Sequence, residues 1–196
     1  MRRGVLLAGA ILALALLGLW TSRHAEARRK LAALEDILRS KNDNDRRLDT
    51  DFNDLSQETR KLFRRKYAEL SPEQRNERGT IVYLLGRNLR TKEDWAFLRE
   101  VMTEPPCLSL ADCSKPASGS AEFGDEVTLA YPALVALKQA QRALQAGKAP
   151  EALALISAAK NSQTPAVARL ADSLGEATAS ESNVRFPASA IPKNRD

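Results

Sequence analysis

The 196-residue chain has little of what most catalytic chemistry needs. It carries one histidine, His24, and two cysteines, Cys107 and Cys113. A Ser-His-Asp or Cys-His arrangement would have to recruit His24, which lies far along the chain from both cysteines. No H-E-x-x-H, no G-x-S-x-G and no glycine-rich phosphate loop occurs, so the common metalloprotease, hydrolase and nucleotide signatures are missing. The sequence therefore predicts no enzyme, no cofactor and no metal site. Two acidic pairs, Glu93-Asp94 and Asp125-Glu126, have a plainer use than catalysis. Each stands at the start of an expected helix, where carboxylates complement the helix dipole.

Aromatics make up 5% of the chain and glycine occurs nine times. Alanine, leucine, arginine, glutamate and lysine fill the space, and these are helix formers. The formal charge of +5 is a mild excess, part of it due to Arg2 and Arg3. That is too small to argue for a nucleic-acid partner.

What is present begins with residues 5–20, sixteen positions without a charge, behind Met1-Arg2-Arg3. Sixteen helical residues span about 24 Å, a little short of a bilayer core of roughly 30 Å. Residues 1–22 read as a signal anchor or as a cleavable signal peptide, with Ala25-Glu26-Ala27 as an A-x-A site. Arg23 before that site and Arg28-Arg29-Lys30 after it favour the uncleaved anchor. Counting basic residues near the span favours a cytoplasmic body, whereas the short basic N-terminus and the cysteine pair favour export. The reading adopted is a single-pass protein of a bacterial inner membrane with its body in the periplasm.

Residues 23–55 form a juxtamembrane helix and polar linker. Leu31, Leu34, Ile37 and Leu38 make the helix amphipathic up to Ser40. A heptad frame laid from Leu31 reaches Leu62 through Leu34, Leu38, Lys41, Asp45, Leu48, Phe52, Leu55 and Thr59. It fails at Lys41 and Asp45, within a run of turn-forming Asn and Asp, so two helices with a loop between them are preferred to a continuous coiled coil. A homodimer with a coiled-coil stalk is the alternative.

Residues 56–104 hold the clearest patterning. Ser56 caps a helix reaching Leu70 whose Leu62, Phe63, Tyr67 and Leu70 face inward. Arg60, Lys61, Arg64 and Arg65 are expected on its outer side, as candidates for contact with an anionic surface. Ser71-Pro72-Glu73-Gln74 reads as the start of the next helix. In that helix Ile81, Leu84, Leu85 and Leu89 share one face. Thr91 stands three residues before Asp94, the spacing of a capping box, and Trp95, Leu98, Val101 and Met102 continue a helical stripe until Pro105-Pro106. Arg87, Arg90 and Trp95 flank the turn and are candidates for binding a protein partner.

Residues 105–126 read as a loop, with Cys107 and Cys113 spaced to close a disulfide in an oxidising compartment. Residues 127–177 return to helix. Leu129, Leu134, Leu137, Ala140 and Leu144 line the first, Gly147 ends it as a left-handed cap, and Pro150 opens a second. The second carries Ala152, Leu155, Ile156 and Ala159. Thr164-Pro165 opens a third with Val167, Leu170 and Leu174. Residues 178–196 have too few apolar side chains to order themselves.

The segment from Ser71 to Met102 resembles a HEAT-type repeat: an apolar helix, a capped turn, and a second helix ending before proline. The run from Ala140 to Pro165 resembles a tetratricopeptide repeat, with Ala140, Gly147, Ala152, Ile156 and Ala159 at its packing positions. These resemblances imply an all-α fold, a short right-handed α-solenoid of antiparallel helical hairpins after the N-terminal transmembrane or signal helix. They also imply a non-enzymatic protein-protein interaction or scaffold module, and bring no catalytic residues.

Overall fold

Helix-forming composition with proline and Asn/Asp breaks at intervals gives a chain of helices. The computed structural model describes the backbone of residues 2–119, 125–147 and 149–184, and side chains within 21–119, 125–147 and 150–177. Among the described residues there are nine helices and no strand: α1 (Arg2–Ser40), α2 (Arg47–Thr50), α3 (Gln57–Glu69), α4 (Arg75–Gly86), α5 (Lys92–Thr103), α6 (Glu126–Leu129), α7 (Tyr131–Gln145), α8 (Ala149–Ala159) and α9 (Pro165–Val184). The fold is all-α. The chain divides into two compact units, residues 1–97 and 98–196, with the division inside α5.

In the first unit α1 packs on α3 and α3 on α4. α1 runs unbroken to Ser40, the expected end of the amphipathic helix. It stops where Lys41 takes φ +52°, a left-handed residue that cannot continue a helix, and the Ser40 hydroxyl donates to the carbonyl of Ile37 at 2.8 Å. The heptad seam therefore ends at Leu38. Leu48, Phe52 and Leu55 are buried within this unit instead of extending a stalk. Phe52 meets Phe63 with ring centroids 5.8 Å apart, and Tyr67 meets Phe97 edge to face at 5.1 Å.

The cap read at Ser56 forms and the helix start read at Ser71 does not. Ser56 accepts from the amide of Thr59 at α3; Asp125, read only as an acid favouring the helix dipole, also caps α6 by accepting from the amide of Thr128. At Ser71 only a single turn forms. Gln74 reaches back to the amide of Ser71 at 3.1 Å, yet α4 begins at Arg75.

The second unit buries α7, α8 and α9 against one another, with α6 against α7 and α9. Its core is made of small residues: Ala136, Ala140, Ala143, Ala152, Ala159, Ala166 and Ala171 are buried around Leu137, Leu155, Ile156 and Val167. The helix expected from residue 127 is interrupted at Ala130, because Pro132 has no amide to continue α6 and instead opens α7. Gly147 has φ +84°, as its capping role requires. α9 runs on to Val184, past residue 178, by which the helix is expected to have ended; residues 185–196 lie outside the described residues. Among the described residues no helix is long and apolar enough to cross a membrane. The apolar stretch 5–20, expected as the anchor, falls outside the described side chains.

Candidate functional site

The first unit is built around a buried carboxylate. Thr91 turns the chain into α5, and Asp94, three residues on, folds back over that turn. Its Oδ2 accepts from the amides of Arg90 and Thr91, both at 3.0 Å, and from the Thr91 hydroxyl at 3.1 Å. Its Oδ1 accepts from Arg60 Nε at 3.1 Å and Arg64 Nη1 at 2.7 Å. Arg60 also gives Nη1 to the carbonyl of Leu55 at 2.6 Å. Asp94 and Arg60 are 2% and 4% exposed. Burial pushes the Asp94 carboxyl up, but the two amides, the Arg60 charge and the Thr91 hydroxyl together hold it below its ordinary 3.8. The capping box was legible from the Thr91–Asp94 spacing. The two arginines that complete it arrive from α3, some thirty residues earlier in the chain.

A second buried polar group holds the linker that precedes α3. Asn88, 3% exposed, accepts from the amide of Leu55 at 2.9 Å and donates to the carbonyls of Phe52 at 3.0 Å and Leu84 at 2.9 Å. All of its amide's work is spent on backbone groups, so it splices the linker to the end of α4. The outer side of that splice is ionic. Arg87 donates to the carbonyl of Leu48 and to Asp49, both at 3.1 Å, and also to Asn53. Tyr83 donates to Asp49 at 3.1 Å, Arg90 to Asp54 at 2.8 Å, and Lys30 to the carbonyl of Asp54 at 2.6 Å.

These bonds relocate the residues singled out from the sequence. Arg60 is buried and Arg64 half-buried on Asp94, which takes both off the outer face where an anionic surface would need them. Arg65 is exposed and pairs with Glu69, Lys66 pairs with Glu35 at 2.9 Å, and Lys61 is exposed. Arg87 and Arg90 brace the linker, and Trp95 is half-buried on α5. Cys107 and Cys113 are joined in a disulfide, with the amide of Leu108 donating to the carbonyl of Cys113 at 3.1 Å. Inside the loop that the disulfide closes, the Asp112 carboxyl is lowered to about 2 by Lys115 and by the hydroxyl and amide of Ser114.

The structure also brings together a surface that no motif announced. An open groove of about 310 Å³ lies between α1, α3 and the approach to α4. Leu38 and Leu70 supply apolar surface, while Glu35, Arg39, Lys66, Gln74 and Glu77 supply charge of both signs and an amide. Its residues come from sequence positions 35 to 77, and only the packing of α1 on α3 makes them neighbours. No family model matches the chain, and neither a curated protein nor a solved structure is found similar to it.

Proposed function

We propose that the chain is a non-enzymatic interaction module, tethered to a bacterial inner membrane through residues 5–20 and presenting its helical body to a protein partner in the periplasm. On this reading α4–α5 is a HEAT-like pair and α7–α8 a tetratricopeptide-like pair of a short solenoid. The observation that carries it is the groove lined by Leu38 and Leu70 and rimmed by Glu35, Arg39, Lys66 and Glu77. Apolar surface with mixed charge suits a peptide segment that seats one or two side chains and pairs its flanking charges. The basic face of α3, by contrast, is mostly committed to Asp94, Glu69 and Glu35, which weakens its claim to a lipid or nucleic-acid surface.

A photoreactive residue placed at Arg39 or Gln74 in intact cells tests this. One adduct with a distinct polypeptide is expected from both positions and not from Lys61 or Lys138. No groove-specific adduct would contradict the module reading, and an adduct of twice the chain mass would favour a homodimer instead. Orientation has its own check: Cys107 and Cys113 are expected to react with a membrane-impermeant thiol reagent only after reduction from outside the inner membrane. Free thiols reached only after lysis would put the body in the cytoplasm.

A further inference from the structure

Among the described residues, many cations of the first unit are engaged with carboxylates or carbonyls; of those that are not, Lys41, Arg46, Lys61 and Lys92 lie elsewhere in the unit and three are grouped on one short stretch of α1. Arg23, Arg28 and Arg29 are exposed on α1, and none is joined by an ion pair or hydrogen bond to another described residue. Their neighbour Lys30 differs, being held by Glu26 at 3.5 Å and by the carbonyl of Asp54 at 2.6 Å. Arg28 and Arg29 lie on the side of α1 away from its buried stripe of Ala27, Leu34, Ile37 and Leu38, and Arg23 lies one turn before Ala27 on the stripe's own side. At 3.6 residues per turn the three guanidinium-bearing positions are spaced about 140°, 100° and 120° apart around the axis. They form a collar, not a face.

That distribution selects the partner. A helix lying flat on a surface, or seated in a protein groove, gathers its cations on one side. A ring of cations fits a charged plane that the helix passes through. Residues 23, 28 and 29 follow residue 20 by about 5, 12 and 14 Å of helical rise, within or just beyond the headgroup layer if residues 5–20 span the core. Arginine stems can lie back along the helix and deliver their charge to that layer. We propose that Arg23, Arg28 and Arg29 form a cationic collar that gathers anionic phospholipid headgroups around the emerging α1 helix. The inference rests on the tether reading and adds a lipid preference that the apolar stretch alone would not have.

The full chain reconstituted into nanodiscs of equal phosphatidylglycerol and phosphatidylcholine, followed by native mass spectrometry of the lipids that stay bound, tests it. A cation near an anionic surface strengthens binding about fivefold. The bound phosphatidylglycerol is therefore expected to exceed phosphatidylcholine about fivefold or more at low salt. The Arg23→Gln/Arg28→Gln/Arg29→Gln chain should bind the two lipids about equally, and the corresponding triple Lys chain should regain the preference. The Lys61→Gln/Arg65→Gln chain should behave as the parent. Equal enrichment with and without the three arginines would overturn the collar while leaving the tether intact. Loss of enrichment in the Lys61/Arg65 variant alone would assign lipid contact to α3 and also overturn it. A chain that fails to enter the nanodiscs would overturn the tether and the collar together.

Discussion

The two units of this chain solve the same packing problem with different materials. The second, residues 98–196, is held by alanines and a few branched aliphatics, and its buried polar side chains among the described residues are Ser109 and Gln139. Small side chains at helical spacing let α7, α8 and α9 approach closely, and little else is needed. The first unit has larger, more irregular contents: Phe52, Phe63, Tyr67 and Phe97 are buried, and so are Thr59, Arg60, Asn88 and Asp94. Aromatics leave gaps and a long linker brings unpaired backbone into the interior, so polar side chains are required to satisfy it. An apolar stripe forgives substitution by something of similar volume. A polar splice does not, because each partner removed leaves another stranded.

That contrast can be broken most sharply at Asp94. Replacing it with alanine strands the Arg60 guanidinium inside the first unit, and loss of a buried charge partner costs about 3–5 kcal/mol. Urea unfolding followed by circular dichroism should show it, and a loss under 1 kcal/mol would mean that Arg60 finds water. The same carboxylate sets a pH signature. Its folded-state pKa lies below 3.8, so its contribution is present above about pH 4 and disappears as pH falls through the lower folded value. The parent chain should therefore lose more stability between pH 5 and pH 2 than Asp94→Asn does; equal losses would show that other carboxylates, such as Asp45 and Asp112, both held at about 2, carry the acid response.

In the second unit the corresponding break is one of volume. Ala140 is fully buried on α7, and Ala140→Leu should cost about 1–3 kcal/mol through overpacking. A neutral result would mean that the alanine core is looser than its burial implies. Gly147→Ala, at φ +84°, should cost about 1 kcal/mol from backbone conformation alone, since open space surrounds the position. At the small end, Arg65→Ala removes an exposed i, i+4 pair with Glu69 and should change stability by only about 0.3 kcal/mol. An effect comparable to that of Asp94 would undo the distinction between interior and surface charge.

The same contrast explains what could be read from the sequence. The apolar stripes of α4 and α7–α9 were legible because burial repeats every three or four residues. The caps at Ser56 and Thr91 were legible because they act over three residues. Arg60 and Asn88 were not, because a residue is keyed by its partner, and theirs lie more than thirty positions away. A run of five basic residues on α3 looks like a solvated face until Asp94 comes into reach. Asn88 carried a faint signal, a polar residue between Leu85 and Leu89 on the apolar side of the chain leaving α4. The groove from Glu35 to Glu77 carried none, since it exists only once α1 lies on α3.

The measurement that bears most directly on this account is a double-mutant cycle between α3 and α5. Arg60→Met, Asp94→Ala and the pair together would be unfolded in urea at pH 7. If the buried Arg60–Asp94 contact is what the first unit is built around, the pair should lose at least about 2 kcal/mol less than the two single changes added together. Strict additivity would contradict it, and would mean that the two residues are buried near one another without depending on one another.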